Sequence, residues 1–434
     1  MAQRLSGEPS NIKFDTEIPS KEVTTTTILN KTRLDTSSAI QLNDSPMIDA
    51  FDRIRVSQPE TLFDSKQLFD NQPLFFDDQE VSGTGTTSSH NSNTASSTIT
   101  VSSNTEGKRV RQTFMRFNYQ PGKSQLIFCT GTLSMEGGGT GIKRAMGYFD
   151  DNNGLFVQDN EGVLQFVKRS NYTGTPVDIE VNQQDWNLDN LDGNGPSGIT
   201  LDKTKSQILI IDFEWLGVGR VRMGFVVDGI IHYCHYFKHA NNLAGVYMST
   251  PNLPIRYEIS NDGTGSESSL EHICSSVISE GGTQKNGVLR HYATPPLTSL
   301  SSGTTYVMAA GRLKSTHFGA SLDIEKLSCL AQSADQITWE LIAGGTVTGT
   351  LTYSEFPNSC VEIAPGNKTV THNGDGIKID GGYFTQTLPS NNTIPNALRL
   401  GSTIDGTAQI FYLTATPITN NASIRASITW RELN

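Results

Sequence analysis

Asp212 and Glu214, in Ile211-Asp212-Phe213-Glu214-Trp215, stand two residues apart in a run that reads as a β-strand. A period of two puts both on one face, which is how a β-sandwich glycosidase mounts its paired carboxylates. The Glu-x-Asp-x-x-Glu spacing of such enzymes would also need carboxylates at 210 and 215, where Ile210 and Trp215 stand. Two-carboxylate chemistry fails without both partners, so the pair reads as surface acids or as acids facing Arg220 or Arg222 on the next strand. No catalytic residue is assigned, and the chain is not expected to be an enzyme.

The densest set of metal-ligand types is His232, Cys234, His235 and His239. On a strand His232 and Cys234 share a face while His235 points to the other, so at most two donors converge; no zinc or other metal is assigned. Asp185, Asp189 and Asp192 with Gly193 and Gly195 form an acidic turn whose oxygens suit Ca²⁺, but the spacing is not that of an EF-hand, and a solvated loop is expected. Gly137-Gly138-Gly139-Thr140-Gly141 lacks the Gly-Lys-Ser/Thr ending of a phosphate-binding loop and reads as a turn. No cofactor is expected. Trp186, Tyr233, Tyr236 and Tyr247 have the aromatic faces that stack on sugars, or that fill a core or a subunit interface.

The elements that would position these residues are short strands. Between Arg109 and about Glu280 the runs Gln112–Tyr119, Ser124–Leu133, Arg144–Phe149, Gly154–Asp159, Val163–Arg169, Gln207–Leu216, Arg220–Val227, Ile230–Phe237 and Ile255–Ile259 follow one another. Asp228-Gly229 supplies the positive φ angles of a tight hairpin between Val227 and Ile230, and Asp151-Asn152-Asn153-Gly154 is a second turn of this kind. The spacing predicts a jelly-roll or concanavalin-like β-sandwich over 108–284. A second, smaller C-terminal β-sandwich is expected over 285–434, with Ser321–Leu330 read as strand rather than helix. Residues 1–47, which include Thr24-Thr25-Thr26-Thr27, read as an extended arm. Residues 48–107 read as an anchoring segment followed by a polar surface loop within Val81–Glu106, until Thr98-Ile99-Thr100-Val101 restores alternation and enters a strand, with Phe51, Arg53, Arg55, Phe63, Phe75 and Phe76 as candidate anchors.

The 434 residues carry a formal net charge of -11, and only 18% are charged. Neutralising phosphates takes a concentration of Lys and Arg that is absent here, so direct nucleic-acid binding is not expected. The longest apolar runs, such as Ile208–Ile211, fall far short of the roughly 20 residues that span a bilayer, and no membrane partner is expected. Met1–Phe14 has no apolar stretch ahead of a small-residue cleavage site, so synthesis in a cytoplasm is expected. Five scattered cysteines, Cys129, Cys234, Cys274, Cys329 and Cys360, read as free thiols.

The run Lys108-Arg109-Val110-Arg111-Gln112-Thr113-Phe114-Met115-Arg116-Phe117-Asn118-Tyr119-Gln120-Pro121-Gly122-Lys123-Ser124-Gln125 resembles a signature of virion structural proteins of tailed phages, especially marine ones, and of some large DNA viruses. The likeness continues through Asp49–Pro59, Asp185–Asp189 and Trp215–Arg222, and more weakly through Trp339-Glu340-Leu341 and Ala397–Ser402. It implies a minor capsid or fibre-like protein located in the virion. Its partners would be other virion proteins, in a capsid or tail-fibre assembly anchored by the N-terminal arm. A homo-oligomer is expected from the general symmetry of such assemblies. The alternative is a receptor- or glycan-binding adhesin module that contacts a host surface glycan; a polysaccharide hydrolase ranks below both. The basic run Lys108–Arg116 is expected to clamp an acidic neighbouring subunit.

Overall fold

The computed structural model describes residues 56–134, 139–284, 286–332, 335–386, 390–393 and 400–433. Gln58–Asn434 forms one compact unit. The expected arm and the candidate anchors Phe51, Arg53 and Arg55 lie outside the described residues.

Fifteen strands build the first sandwich. They begin with β1 (Glu60–Lys66), β2 (Phe76–Gly83), β3 (Thr86–Asn91), β4 (Ser96–Val101) and β5 (Glu106–Thr113). Next come β6 (Gln125–Thr132), β7 (Ile142–Phe149), β8 (Gly154–Asn160), β9 (Val163–Ser170) and β10 (Val177–Asn182). The last are β11 (Gln207–Phe213), β12 (Val221–Val227), β13 (Ile230–Phe237), β14 (Ile255–Asp262) and β15 (Ser268–Ser279). An eight-stranded sheet runs β13-β12-β11-β6-β15-β4-β3 with β1 also on β15, and a seven-stranded sheet runs β10-β9-β8-β7-β14-β5-β2.

Period-two alternation decides which side chains meet between the sheets. On β11, Leu209, Ile211 and Phe213 enter the core, while Ile208, Ile210 and Asp212 belong to the outer face. A chain of rings crosses the interior from Phe63 to Phe117 at 5.2 Å, Phe117 to Tyr148 at 6.3 Å, Tyr148 to Phe213 at 5.6 Å and Phe213 to Tyr119 at 5.8 Å. Each such ring contributes about 1.5–3 kcal/mol by leaving water. Phe63 and Phe76 are buried in this core, and the partly buried Phe75 packs against it. The three therefore fasten β1 and β2 to their own sandwich instead of anchoring the chain to a neighbour.

The hairpin at Asp228-Gly229 is as expected, with φ of 51° and 79°. The turn before Gly154 closes differently: the Asp150 carboxylate accepts the amide protons of Asn152 and Asn153, both at 2.8 Å. Thr98–Val101 is strand, as its alternation suggests, but the stretch of Val81–Glu106 before it is not a surface loop, since β3 and β4 pair along their whole length. Thr and Ser there read as loop residues, yet alternation on a sheet with one wet face suits them equally. The sandwich thus begins at β1, well before residue 108. Gln112–Tyr119 leaves the sheet after Thr113.

The C-terminal sandwich packs a five-stranded sheet, built on Ala422–Leu433 and Ser321–Ala331, against an eight-stranded sheet built on Tyr306–Leu313, Ile410–Pro417 and Ile337–Ala343. Ser321–Ala331 is a strand, as its sequence suggests. Trp339 and Trp430 fill the core between the sheets. Between Thr346 and Tyr353 the strand is confined to Val347–Thr348.

The two sandwiches are joined by backbone as well as by the connecting chain. Ser402 donates its amide to the Phe114 carbonyl at 3.1 Å, Ile404 to the Asp77 carboxylate at 2.7 Å, and the Asn252 side chain to the Gly319 carbonyl at 2.9 Å. A Cβ on Gly401 would sit 1.8 Å from the Phe114 oxygen. Gly401→Ala is therefore expected to cost about 1–3 kcal/mol by overpacking and to loosen the junction. Limited proteolysis at the 280–287 connector checks this, with faster cleavage in the variant.

Candidate ligand-binding cleft

The carboxylate pair that prompted the hydrolase reading is not assembled. Asp212 is buried on the outer face of the eight-stranded sheet, ion-paired to Arg222 and accepting the Tyr233 hydroxyl proton at 2.9 Å. Glu214 lies beyond the end of β11, exposed, and accepts the Arg220 amide proton at 3.2 Å. One acid is neutralised and the other closes a turn, so neither is poised as nucleophile or proton donor.

The His and Cys cluster is dispersed as alternation dictates. Cys234 is in the core, where burial pushes its thiol up to about 12. His235 accepts the Asn187 amide proton at Nδ1 and stacks edge-on against Phe237, 4.6 Å between centroids. His239 is held between Lys168 Nζ at 2.9 Å and the Gly219 carbonyl at 2.6 Å. Burial lowers both histidines to about 4 and Lys168 to about 8. Among the described residues no group of three or more His, Cys, Asp or Glu converges as a metal site. All five cysteines are free, and Cys274 alone is only half-buried.

The four candidate sugar-stacking aromatics are placed where they cannot act together. Trp186 lies in the core, stacked on Phe166 at 4.1 Å with its indole N–H donated to the Val181 carbonyl at 3.2 Å. Tyr247 is also buried, stacked on His239 at 4.1 Å. Their bulk satisfies the packing between sheets, and neither ring face is open to a ligand. Tyr233 and Tyr236 stay partly exposed on the outer face of β13, but Arg222 lies 4.3 Å over the first ring and Arg220 lies 5.1 Å over the second.

The expected clamp Lys108–Arg116 closes within its own chain. Lys108 pairs with Glu258 at 3.2 Å, Arg109 with Asp78 at 2.6 Å and Arg116 with Asp150 at 2.5 Å. Arg111 is fully buried between Gln67, Asp78 and His272.

The acidic turn contributes to a site of another kind. Burial pushes the Asp189 carboxyl up, but amide protons from Leu191 at 3.0 Å and Ser197 at 2.8 Å outweigh it and hold the group below the ordinary carboxylate range. Asp192 accepts the Asn194 amide proton at 2.8 Å, and its backbone bridges Thr200. These bonds fold 189–200 into a wall facing the ends of β9 and β10. Between them lies a cleft of about 650 Å³, lined by Asn182, Gln183, Gln184, Asn190, Asp192 and Thr200 over Val163, Leu164, Leu191 and Leu201.

Within the wall the amide N–H groups are directed inward to the protein: Gln183 donates to the Asn190 carbonyl at 2.9 Å, and Asn190 donates to the Gln184 carbonyl at 2.8 Å. The side-chain oxygens of Gln183 and Asn190 accept no hydrogen bond from described residues. Beside the cleft, the outer face of the seven-stranded sheet carries an amide ladder. Gln158 donates to Gln165 at 2.6 Å and to Glu180 at 2.9 Å, and Gln165 donates to Asn182 at 2.8 Å. Gln158 Oε1 is buried without a partner. The sequence carried one overlooked signal for this ladder: Glu161-Gly162 makes a two-residue hairpin that sets Gln158 opposite Gln165.

No protein-family model matches the chain, and no curated protein matches it. Solved structures that align with part of the chain include a legume lectin-like domain from Entamoeba histolytica, at 13% identity and a TM-score of 0.31, covering 51% of this chain and 97% of that one. An endo-1,3-beta-glucanase from Streptomyces sioyaensis aligns at 9% identity and a TM-score of 0.33, covering 53% and 99%. The CBM2 module of the evolved Dit of Lactobacillus casei phage J-1 aligns at 7% identity and a TM-score of 0.34, covering 53% and 100%. At these scores the likeness carries nothing about ligand or reaction.

Proposed function

We propose that the chain is a non-catalytic glycan-binding protein borne on a virus particle, with the cleft between β9, β10 and 189–200 as its binding site. The observation that carries the glycan reading is the chemistry of the lining: amide and hydroxyl groups above an apolar floor, with the side-chain oxygens of Gln183 and Asn190 accepting from no described residue. Sugars present hydroxyl donors along one edge and C–H surfaces across a face, and a cleft of this composition meets both. Asp192 is the sole ionisable lining residue, which favours a neutral ligand over an anionic one. The virion reading comes from the Lys108–Gln125 resemblance.

Gln184 makes no side-chain hydrogen bond to a described residue, so Gln184→Ala is expected to leave the fold intact. It and Asn190→Ala are expected to weaken glycan binding by at least about tenfold each, or about 1.4 kcal/mol. A glycan array followed by calorimetry on the best hit reads this out. Binding untouched by both variants, or none at all across the array, defeats the assignment. Mass spectrometry of purified particles tests the virion location separately, and absence of the chain from them defeats that part alone.

A further inference from the structure

The eight-stranded sheet ends on β13, and half of that edge is closed by the protein itself. The Asn187 side chain donates to the Tyr236 carbonyl at 3.0 Å and accepts the Tyr236 amide proton at 2.9 Å, and Leu188 and Asp189 donate to the Cys234 carbonyl at 3.0 and 3.2 Å. Residues 187–189 therefore occupy the hydrogen-bonding edge from Cys234 to Tyr236. No described residue does the same for Ile230–Tyr233, although every second amide and carbonyl of an edge strand faces outward.

The other strand edges of this sandwich carry the residues that discourage pairing. β10 has Asp178 and Glu180, β2 has Asp77, Asp78 and Glu80, and β1 has Glu60, Asp64 and Lys66. β3 is Thr-Thr-Ser-Ser-His-Asn and offers no large apolar side chain. Only Ile230-Ile231-His232-Tyr233 is both apolar and without Asp, Glu, Lys or Arg. Its isoleucines are 61% and 41% exposed, and on the outer face Ile231 is continuous with Val226 and Ile208 on the two strands behind it. A chain with a net charge of -11 repels its copies, so self-contact is favoured where acids are absent. Arg220 and Arg222, the latter paired with Asp212, keep the ground beside β13 from being acidic.

We propose that the chain forms a two-fold dimer by antiparallel pairing of the Ile230–Tyr233 segments of two copies. A two-fold axis at His232 sets Ile231 of one copy opposite Tyr233 of the other, a β-branched residue against an aromatic, which is a favourable cross-strand pair. The loop 187–189 ends the pairing on each side, so the contact is short and self-limiting and does not propagate into a fibre. The eight-stranded sheets of two subunits become one continuous sheet, and the two glycan clefts lie outside the contact, which gives the assembly two-site avidity.

Sedimentation of the full chain over a micromolar concentration series tests this. The unaltered protein is expected to sediment as a dimer, and Ile231→Lys as a monomer with its dissociation constant raised at least about tenfold. Ile230→Glu, at the more exposed neighbour, is a second route to the same monomer if Ile231→Lys fails to fold. Val177→Lys, on the exposed edge of β10, is expected to leave the dimer intact. A monomeric parent protein overturns the proposal, as does a dimer that survives both β13 changes or one lost only with Val177→Lys. Glycan binding by single sites is unchanged in the β13 variants.

Discussion

Arg111→Ala is expected to remove about 3–5 kcal/mol from the stability of the first sandwich, since losing one partner of a buried, hydrogen-bonded charge network leaves the others without compensation. Arg111 is 1% exposed, and its guanidinium joins segments far apart in the chain. It donates to Gln67 at 2.9 Å and to His272 Nδ1 at 3.2 Å, binds the Asn71 carbonyl, approaches Asp78 at 3.5 Å and lies 4.5 Å over the Phe76 ring. Burial, only partly offset by Asp78, lowers its pKa to about 10, which still leaves it charged at neutral pH. Truncation opens a cavity and strands the Gln67 and Asn71 oxygens and the His272 nitrogen at once. Arg111→Met refills much of the volume but restores no donor, so it is expected to recover only the cavity part of the loss. Denaturant midpoints measure both, and a loss below about 1 kcal/mol in the alanine variant would falsify the role given to Arg111.

Acid is expected to unfold the first sandwich between about pH 6.5 and 4, through histidines held neutral in its interior. His235 and His239 are lowered from 6.5 to about 4, and His272 lies well below its ordinary value; burial is the leading cause in each. The unfolded chain binds protons at these positions before the folded one does. Their stabilising contribution is therefore complete above about pH 6.5 and is lost as the pH falls towards 4. A shift of this size is worth at most about 3 kcal/mol for His235 and for His239, so the two together are a large part of a domain's stability, and His272 acts in the same direction. The neighbours supply the mechanism: protonated His239 would face Lys168 Nζ 2.9 Å away, and protonated His272 would face Arg111. His235 has no cation beside it, and its cost is loss of solvation together with loss of the Asn187 amide as donor to Nδ1. His239→Gln keeps a hydrogen-bonding side chain that does not titrate, and is expected to flatten the acid limb of a melting temperature against pH profile. An unchanged limb in that variant assigns acid sensitivity elsewhere.

The residues that folded as read are those whose behaviour is local. Ile230–Phe237 and its Asp228-Gly229 turn follow from alternation and from residues able to take positive φ, so the hairpin was legible without any knowledge of its partner strands. The same holds for Ile142–Phe149, Gly154–Asn160 and Val163–Ser170. Local reading failed in the part of Val81–Glu106 ahead of Thr98, where the Thr and Ser of β3 look like loop residues because the decisive fact is pairing with β4, itself held on β15 some 170 positions away.

The sequence by itself determined an all-β chain of two sandwiches with free thiols. Alternation says which side chains share a face, but not which face another sheet will cover. Only the tertiary structure could therefore place Trp186 and Tyr247 in the core, return the basic run Lys108–Arg116 to acids of its own chain, and bring Asn182, Asn190 and Thr200 around one cleft. Those outcomes depend on registers between strands distant in sequence, and register is set by the burial of whole faces rather than by any residue's neighbours.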